Sequence, residues 1–277
     1  MRWELLNGHD FDQAVDASGG VCVLPLGSLE RHGLHMPMGA DYLNAHAVAC
    51  LAAEQEPAVV FPGLYLGQVC ESMARRGTIA LRPELLVPLL RNVCDEIARN
   101  GFTKILVLNG HGGNWAWLQF MGFGDVREPR DYLVYYLNWW TADTDEQKRD
   151  TTADCEGRPY GHACEWETSV TMYLQGADSV DVRHVPDAVV PMLDRAEGLD
   201  RQVFTGINWF AGCPDCYLGD ARHASLERGE RYVRNNVAGV VERLRAIKAD
   251  TALPALQAEY QRRCRSLGAG APRPEDA

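Results

Sequence analysis

Short apolar runs alternate along the chain with longer segments in which apolar residues recur at helical spacing. The continuous runs of Val, Ile and Leu that end in glycine or a polar residue predict strands. One helix is also marked by a proline near its start and a glycine after its end. The predicted strands are residues 21–26, 58–61, 104–108 and 132–137, and the predicted helices are residues 42–55, 83–100, 165–174, 225–249 and a segment from 115 onward.

This alternation predicts the architecture of the chain. Continuous apolar strands are typical of a parallel sheet buried on both faces, because strands with one exposed face alternate apolar and polar residues. We therefore expect an α/β fold, a three-layer α/β/α sandwich with a mostly parallel sheet, in a single domain over residues 1–267. Residues 268–277 are small, polar and proline-rich, so we expect them to form a flexible tail.

Composition narrows the classes of protein to consider. Of the 277 residues, 46% are hydrophobic and 23% are charged, as in globular proteins, and the formal net charge is −11. An acidic surface repels phosphate backbones and anionic lipids, so neither nucleic acid nor a membrane is expected as a partner. The N-terminus lacks the features of a signal peptide, no apolar run reaches spanning length, and the nine cysteines fit reduced thiols. These features predict a cytoplasmic protein.

Histidines and carboxylates concentrate in three segments. GSLERHGLHMPMGAD (27–41) follows the first predicted strand, NGHGGN (109–114) follows the third, and GHACEWETS (161–169) opens a predicted helix. Such residues are costly to bury at strand ends unless they are paired or bind metal. Mixed imidazole and carboxylate donors suit Zn²⁺ or Mn²⁺, so the candidate metal ligands are Glu30, His32, Asp41, His111 and Glu165.

The spacing of these residues fits a site for two metal ions. Glu30 and His32 are two positions apart, so in extended backbone both project to the same side. Asp41 lies at the start of the next predicted helix, where its carboxylate could bridge two cations. Glycines flank His111 and allow a ligand to approach closely. Two ions roughly 3.5–4 Å apart would generate a bridging hydroxide and polarise a carbonyl. Any one of these residues alone is more often an ordinary polar residue, so the prediction depends on the joint pattern.

The three segments resemble the creatininase family, also called creatinine amidohydrolases. The resemblance lies in LPLGSLERHGLHMPMGAD, VLNGHGGN and HACEWETS, and also in GDARHASLERGERYV, which opens the last predicted helix. It implies an α/β sandwich, a binuclear Zn and/or Mn centre, and a homo-oligomer, a hexamer built as a trimer of dimers. By position, Glu30, Asp41 and His111 would hold one ion, and His32, Asp41 and a further glutamate would hold the other.

One position departs from the pattern of creatininase itself, which has the further glutamate where this chain has Gly113. Other members carry a glutamate in the third segment, so the resemblance assigns Glu165 as the compensating ligand. His162 corresponds to a substrate-side histidine and is the candidate catalytic proton shuttle. Glu167 would orient a metal-binding histidine without binding metal itself. Its place at a helix N-terminus, where a negative charge is favoured, explains Glu167 equally well.

The residue at position 113 leaves the substrate open. Ser72, Trp140 and Trp166 are candidate substrate-binding residues for a small flat or cyclic molecule, although tryptophans also serve as core residues. The predicted function is hydrolysis of a small amide or cyclic amide, with hydroxide attacking the carbonyl and His162 protonating the leaving group. The alternatives are hydrolytic ring opening of a cyclic keto-inositol, hydrolysis of a peptide or formamide, and a non-catalytic metal-binding scaffold. Cys213 and Cys216 form an isolated pair without further ligands at zinc-site spacing, so no role is assigned to them.

Overall fold

A computed structural model of the chain describes residues 1–142, 144, 146, 161–199 and 203–268. Within these residues, four parallel strands form one sheet in the order β2-β1-β3-β4. This confirms the predicted α/β architecture with a parallel sheet. The strands are β1 Val21–Leu26, β2 Val59–Val60, β3 Lys104–Asn109 and β4 Leu133–Asn138.

Helices cover both faces of the sheet. Apolar residues of α1, α3 and α4 pack with one face, and those of α2, α5 and α7 pack with the other. None of the helices within the described ranges has the length and apolar composition needed to cross a bilayer. The α-helices are α1 Gly8–Ala17, α2 Ala40–Gln55, α3 Pro83–Arg99, α4 Trp115–Asp125, α5 Glu165–Gln175, α6 Asn208–Gly212, α7 Leu226–Ala249 and α8 Ala252–Gly268.

Strand β1 shows why both faces are apolar. Val21 and Val23 belong to the cluster with α2 and α7, whereas Cys22 and Leu24 belong to the cluster with α1 and α3. All six residues of β1 are buried. The register pairs Leu26 with the last residue of β3, so the two central strands end side by side. The loops that follow them therefore leave the sheet at the same place.

The sequence pattern did not indicate α1, the short α6 or α8. Helix α1 contains only a few apolar residues and is capped by Asn7, whose side chain accepts a hydrogen bond from Asp10 N at 3.0 Å. Helix α8 is largely exposed and ends at Gly268, the first residue of the predicted tail. The rest of that tail, 269–277, lies outside the described residues, so the domain boundary stays a prediction.

Candidate metal centre

The candidate site lies at the carboxyl ends of β1 and β3, where open α/β sheets bind their ligands. Gly27 and Gly110 directly follow the two strands. A Cβ atom at Gly27 would lie 2.6 Å from the carbonyl carbon of Asp41, and one at Gly110 would lie 2.8 Å from Ala45 Cβ. The missing side chains therefore let the first turn of α2 pack against the strand ends, and this packing carries Asp41 into the site.

Asp41 is only 7% exposed and stands between two imidazoles. Its Oδ1 atom lies 3.1 Å from His32 Nε2, and its Oδ2 atom lies 3.0 Å from His111 Nδ1. Ser28 Oγ donates a 2.6 Å hydrogen bond to the same Oδ2 atom and fixes the carboxylate. The two oxygens of the Asp41 carboxylate therefore face two different imidazoles.

Glu30 completes the cluster. Its Oε2 atom lies 3.1 Å from His111 Nδ1, and its Oε1 atom accepts a 2.5 Å hydrogen bond from Ser72 Oγ. Within the described ranges, Oε2 is buried without an aligned hydrogen-bond donor. His111 Nδ1 thus faces two carboxylate oxygens at contact distance, although one N–H can donate well to only one of them. The donor atoms form two groups within 4.8 Å, Glu30–Asp41–His111 and Glu30–His32–His162, which fit a cation.

The charges of the cluster are strongly coupled. Burial alone would raise the pKa of Asp41, yet the neighbouring His32 and His111 hold that pKa far below its ordinary value. Burial opposes the charged form of His32, but Asp41 raises the pKa of that imidazole to about 10. Glu30 and Asp41 likewise raise the pKa of His111 against its burial. Without metal, buried carboxylates and imidazolium groups therefore neutralise each other at neutral pH.

Two asparagines hold the turn that carries His111. Asn109 Nδ2 donates to the carbonyl oxygen of His111 at 2.8 Å, and Asn109 Oδ1 accepts from His111 N at 3.2 Å. Asn114 Nδ2 donates to Asn109 Oδ1 at 3.0 Å, and Asn114 Oδ1 accepts from Gln68 N at 2.8 Å. The asparagines at both ends of NGHGGN therefore fix the turn and tie it to the loop after β2.

His162 lies beside the cluster and lines the adjoining cavity. Its ring centroid is 4.2 Å from that of His32 and 5.4 Å from that of Trp209, which meets it edge-on. His162 Nε2 lies 2.9 Å from the carbonyl oxygen of Arg31, so Nε2 carries the proton and donates. Ala163, with a φ of 58°, donates its backbone N–H to the Glu167 carboxylate. Glu167 therefore holds the turn that carries His162.

Glu165 is not brought into the cluster. Its Oε1 atom lies 2.6 Å from Arg228 Nη1 and 3.0 Å from the hydroxyl of Tyr232, both on α7. It belongs to neither of the two donor groups. The structure pairs Glu165 Oε1 with a guanidinium, and the metal-ligand role of Glu165 stays a prediction.

A cavity of about 870 Å³ opens from the cluster, within the usual range for small-molecule sites. Trp139 stacks on Trp166 at a centroid distance of 5.0 Å. The predicted substrate-binding residues Trp140 and Trp166 line the cavity. Predicted Ser72 is 1% exposed and is engaged with Glu30. Sequence reasoning missed other lining residues, among them Trp209 and Glu71, because neither lies in a segment rich in histidine and carboxylate.

Cys213 and Cys216 are buried close to the loops of the site. The carbonyl oxygen of Cys216 accepts a 2.7 Å hydrogen bond from Gly33 N. Burial raises the pKa of the Cys213 thiol to about 11, which disfavours the thiolate that binds metal. Neither cysteine belongs to a group of donors among the described residues that could hold an ion.

Comparison with known proteins decides the family. A family model described as creatinine amidohydrolase matches residues 4–244. The chain belongs to the creatininase family. It is accordingly a hydrolase, and the resemblance of its three segments to this family is confirmed.

Curated relatives of this creatininase-family hydrolase act on different compounds, as their names state. Creatinine amidohydrolase of Pseudomonas putida is 28% identical over 87% of this chain and 94% of its own length. Mycofactocin precursor peptide peptidase of Mycolicibacterium smegmatis is 28% identical over 82% of this chain and 85% of its own. The 3-dehydro-scyllo-inosose hydrolase of Thermotoga maritima is 27% identical over 55% of this chain and 49% of its own.

Solved structures of creatininase share the fold. A crystal structure of creatininase aligns with 90% of this chain and 98% of its own at 26% identity and a TM-score of 0.76. A manganese form aligns with 90% and 99% at 25% identity and a TM-score of 0.75. A Zn–Zn form of a mutant creatininase aligns with 90% and 98% at 26% identity and a TM-score of 0.74. The family fold thus extends over most of the hydrolase.

Proposed function

We propose that this creatininase-family hydrolase holds two divalent ions, Zn and/or Mn, and hydrolyses a C–N bond in a small amide or cyclic amide. The observation that carries the proposal is the position of Asp41, whose two carboxylate oxygens face His32 and His111 at 3.1 and 3.0 Å. Related structures named as Zn–Zn and manganese forms support the choice of metals.

The donor set divides into two sides around Asp41. Glu30 Oε2, Asp41 Oδ2 and His111 Nδ1 would hold one ion, and Asp41 Oδ1 with His32 Nε2 would hold the other. His32 Nδ1 lies 3.1 Å from the carbonyl oxygen of Glu30 and donates to it, which leaves Nε2 free as a ligand. Two such ions, when bound, acidify water and polarise a carbonyl at neutral pH.

We assign to His162 the transfer of a proton. The carbonyl oxygen of Arg31 retains the Nε2 proton, so Nδ1 is the nitrogen that exchanges a proton with the leaving amine. Glu167 keeps this imidazole in place through the turn at Ala163. The placement beside Glu30 and His32 supports a role on the substrate side of the cluster.

The walls of the cavity favour a flat substrate of low polarity. Indoles of four tryptophans line the cavity and present broad apolar surfaces that suit an amide plane or a small ring. A polyhydroxylated keto-inositol would need several hydrogen-bond partners there, since unpaired hydroxyls are costly to bury. We therefore place amide hydrolysis first and ring opening of a keto-inositol second. The tryptophans are Trp139, Trp140, Trp166 and Trp209.

The experiment combines metal counting with a substrate screen. Protein loaded with Zn²⁺ or Mn²⁺ is assayed against cyclic amides, linear amides, formamides, short peptides and a keto-inositol. We expect about two ions per chain and turnover of an amide.

Asp41→Ala should lose bound metal and reduce turnover at least ~100-fold, whereas Asp12→Ala, at an exposed position on α1, serves as the control. Retention of both ions and full turnover in Asp41→Ala would overturn the proposal. Bound metal without turnover of any compound would favour the scaffold.

The expected cytoplasmic location and the expected hexamer remain predictions from sequence. Light scattering on purified protein measures the oligomer directly.

A further inference from the structure

We propose that Glu71 is a positioning residue of the metal centre. Its carboxylate accepts a hydrogen bond from His111 Nε2 and so fixes the imidazole with Nδ1 directed at Glu30 and Asp41. The inference rests on the proposed metal-dependent function and assigns a residue outside the three motif segments.

The two nitrogens of His111 have different surroundings. Nδ1 faces the carboxylates of Glu30 and Asp41 at 3.1 and 3.0 Å. Nε2 is buried and has no hydrogen-bond partner among the residues that the structure describes. A histidine that binds metal through one nitrogen nearly always donates the other N–H to a carboxylate or carbonyl. His32 already has such a partner in the carbonyl oxygen of Glu30. The equivalent partner of His111 is missing.

Glu71 lies next to the unpaired nitrogen. A Cβ atom built on Gly113 would lie 2.6 Å from His111 Nε2 and 2.9 Å from both Glu71 Oε1 and the carbonyl oxygen of Gln68. These polar atoms therefore border the same small space, which is empty of side chain because residue 113 is glycine. Of the two acceptors, only Glu71 carries a charge and can rotate toward His111. In the geometry that we propose, rotation of the half-buried Glu71 side chain would bring its carboxylate to His111 Nε2.

The backbone around Glu71 is fixed in relation to the metal cluster. Glu71 is the middle residue of the short 3-10 turn Cys70–Ser72. On one side, Ser72 Oγ donates to Glu30 Oε1 at 2.5 Å. On the other, Cys70 N donates to Gln68 Oε1 at 2.8 Å, and Gln68 is tied to the NGHGGN turn. The loop after β2 thus presents Glu71 from a rigid support, as a positioning group requires.

Glu71 also borders the space that the glycine leaves at position 113. The pattern of creatininase itself has a glutamate there, and this chain has Gly113. In this hydrolase a carboxylate reaches the same space from a neighbouring loop, and a side chain at 113 would displace it. Glu71 thus keeps an acidic group beside His111, and it adds no metal ligand on the Nδ1 side of the ring.

The test titrates metal-free full-length protein with Zn²⁺ by calorimetry and follows His111 by ¹⁵N NMR of the zinc-loaded form. Glu71→Ala should lower the Zn²⁺ affinity of the site that contains His111 ~10–100-fold, with the number of bound ions unchanged. It should also shift the His111 Nε2 signal. Glu71→Gln keeps an acceptor oxygen and should restore the affinity to within a few-fold of wild type. Glu54→Ala, at an exposed position on α2, is the control and should match wild type.

A second pair of variants tests the same space from the other side. Gly113→Ala places a Cβ atom against His111 Nε2 and should also weaken metal binding, whereas at Gly112 a Cβ atom meets nothing within 4 Å. Gly112→Ala is therefore the matched control.

Three results separate the proposals. Wild-type affinity and an unchanged His111 signal in Glu71→Ala would overturn the positioning role while leaving the metal-dependent function intact. Loss of one ion in Glu71→Ala would also overturn it, since Glu71 would then be a ligand. Absence of metal binding in the wild-type protein would instead refute the proposed function itself.

Discussion

At the scale of single residues, the neighbouring charges of the buried cluster determine which of its groups carry protons. Burial disfavours charge, but Asp41 raises the pKa of His32 to about 10, and Glu30 and Asp41 raise the pKa of His111. Both imidazoles are therefore protonated at neutral pH when no metal is present. A metal ligand must be the neutral imidazole, so an incoming ion has to displace these protons.

This balance predicts a pH-dependent metal affinity with a definite sign. Below the raised pKa of His32, protons compete with the ion, so affinity should increase as the pH rises from 6 to 9. Binding at pH 7.5 should release about two protons, one from each histidine. Calorimetric titration in two buffers with different ionisation enthalpies measures this number. Equal heats in both buffers would show that no protons leave and would contradict the predicted charge state.

The sequence identified individual metal-ligand candidates by their positions at the ends of predicted strands rather than by their residue types. Glu30, Asp41 and His111 follow strand ends or open the helix after one, and the structure places their donor atoms within 4.8 Å of one another. Glu71 gave no comparable signal, since a single glutamate in a long loop is usually solvated. Its relation to His111 depends on the absence of a side chain at Gly113, which only the packed structure shows.

At the scale of elements, the contact between α5 and α7 determines which groups pair with the Glu165 carboxylate. Arg228 and Tyr232 lie on one side of α7 and meet the Glu165 carboxylate at 2.6 and 3.0 Å. The motif places Glu165 at the start of α5, three residues after His162, but it does not reveal which residues of α7 face it. Long-range pairing of this kind cannot be inferred from local spacing.

The contact predicts that Glu165 stabilises the fold without holding metal. Glu165→Gln should keep the number of bound ions unchanged and lower the free energy of unfolding by about 1–3 kcal/mol, because Arg228 loses its charged partner. Denaturant unfolding and elemental analysis of the same preparation measure both quantities. Glu259→Gln, in an exposed pair with Arg263 on α8, should have little effect on either. Loss of one ion in Glu165→Gln would restore the ligand role that the sequence suggested.

At the scale of the whole molecule, alternation of buried strands and amphipathic helices was sufficient to predict the parallel sheet and its two helical layers. The strong signals came from β1, β3 and α7, whose apolar patterns are long or continuous. Helices α1 and α8 gave weak signals because few of their residues enter the core. Trp209 lies in the short helix α6, and only the tertiary fold brings its ring to His162.

The fold also explains why the site is assembled from distant segments. Strands β1 and β3 end side by side, and glycines after both strands admit the first turn of α2. The loop after β2 and the turn before α5 then close the remaining sides of the cluster with Ser72 and His162.

Anomalous diffraction from crystals loaded with Zn²⁺ or Mn²⁺ tests the central claim most directly. The arrangement of donors predicts two peaks roughly 3.5–4 Å apart on either side of the Asp41 carboxylate. One of them should adjoin His111 Nδ1 and the other His32 Nε2. A single peak remote from Asp41, or none at saturating metal, would contradict a binuclear centre in this hydrolase.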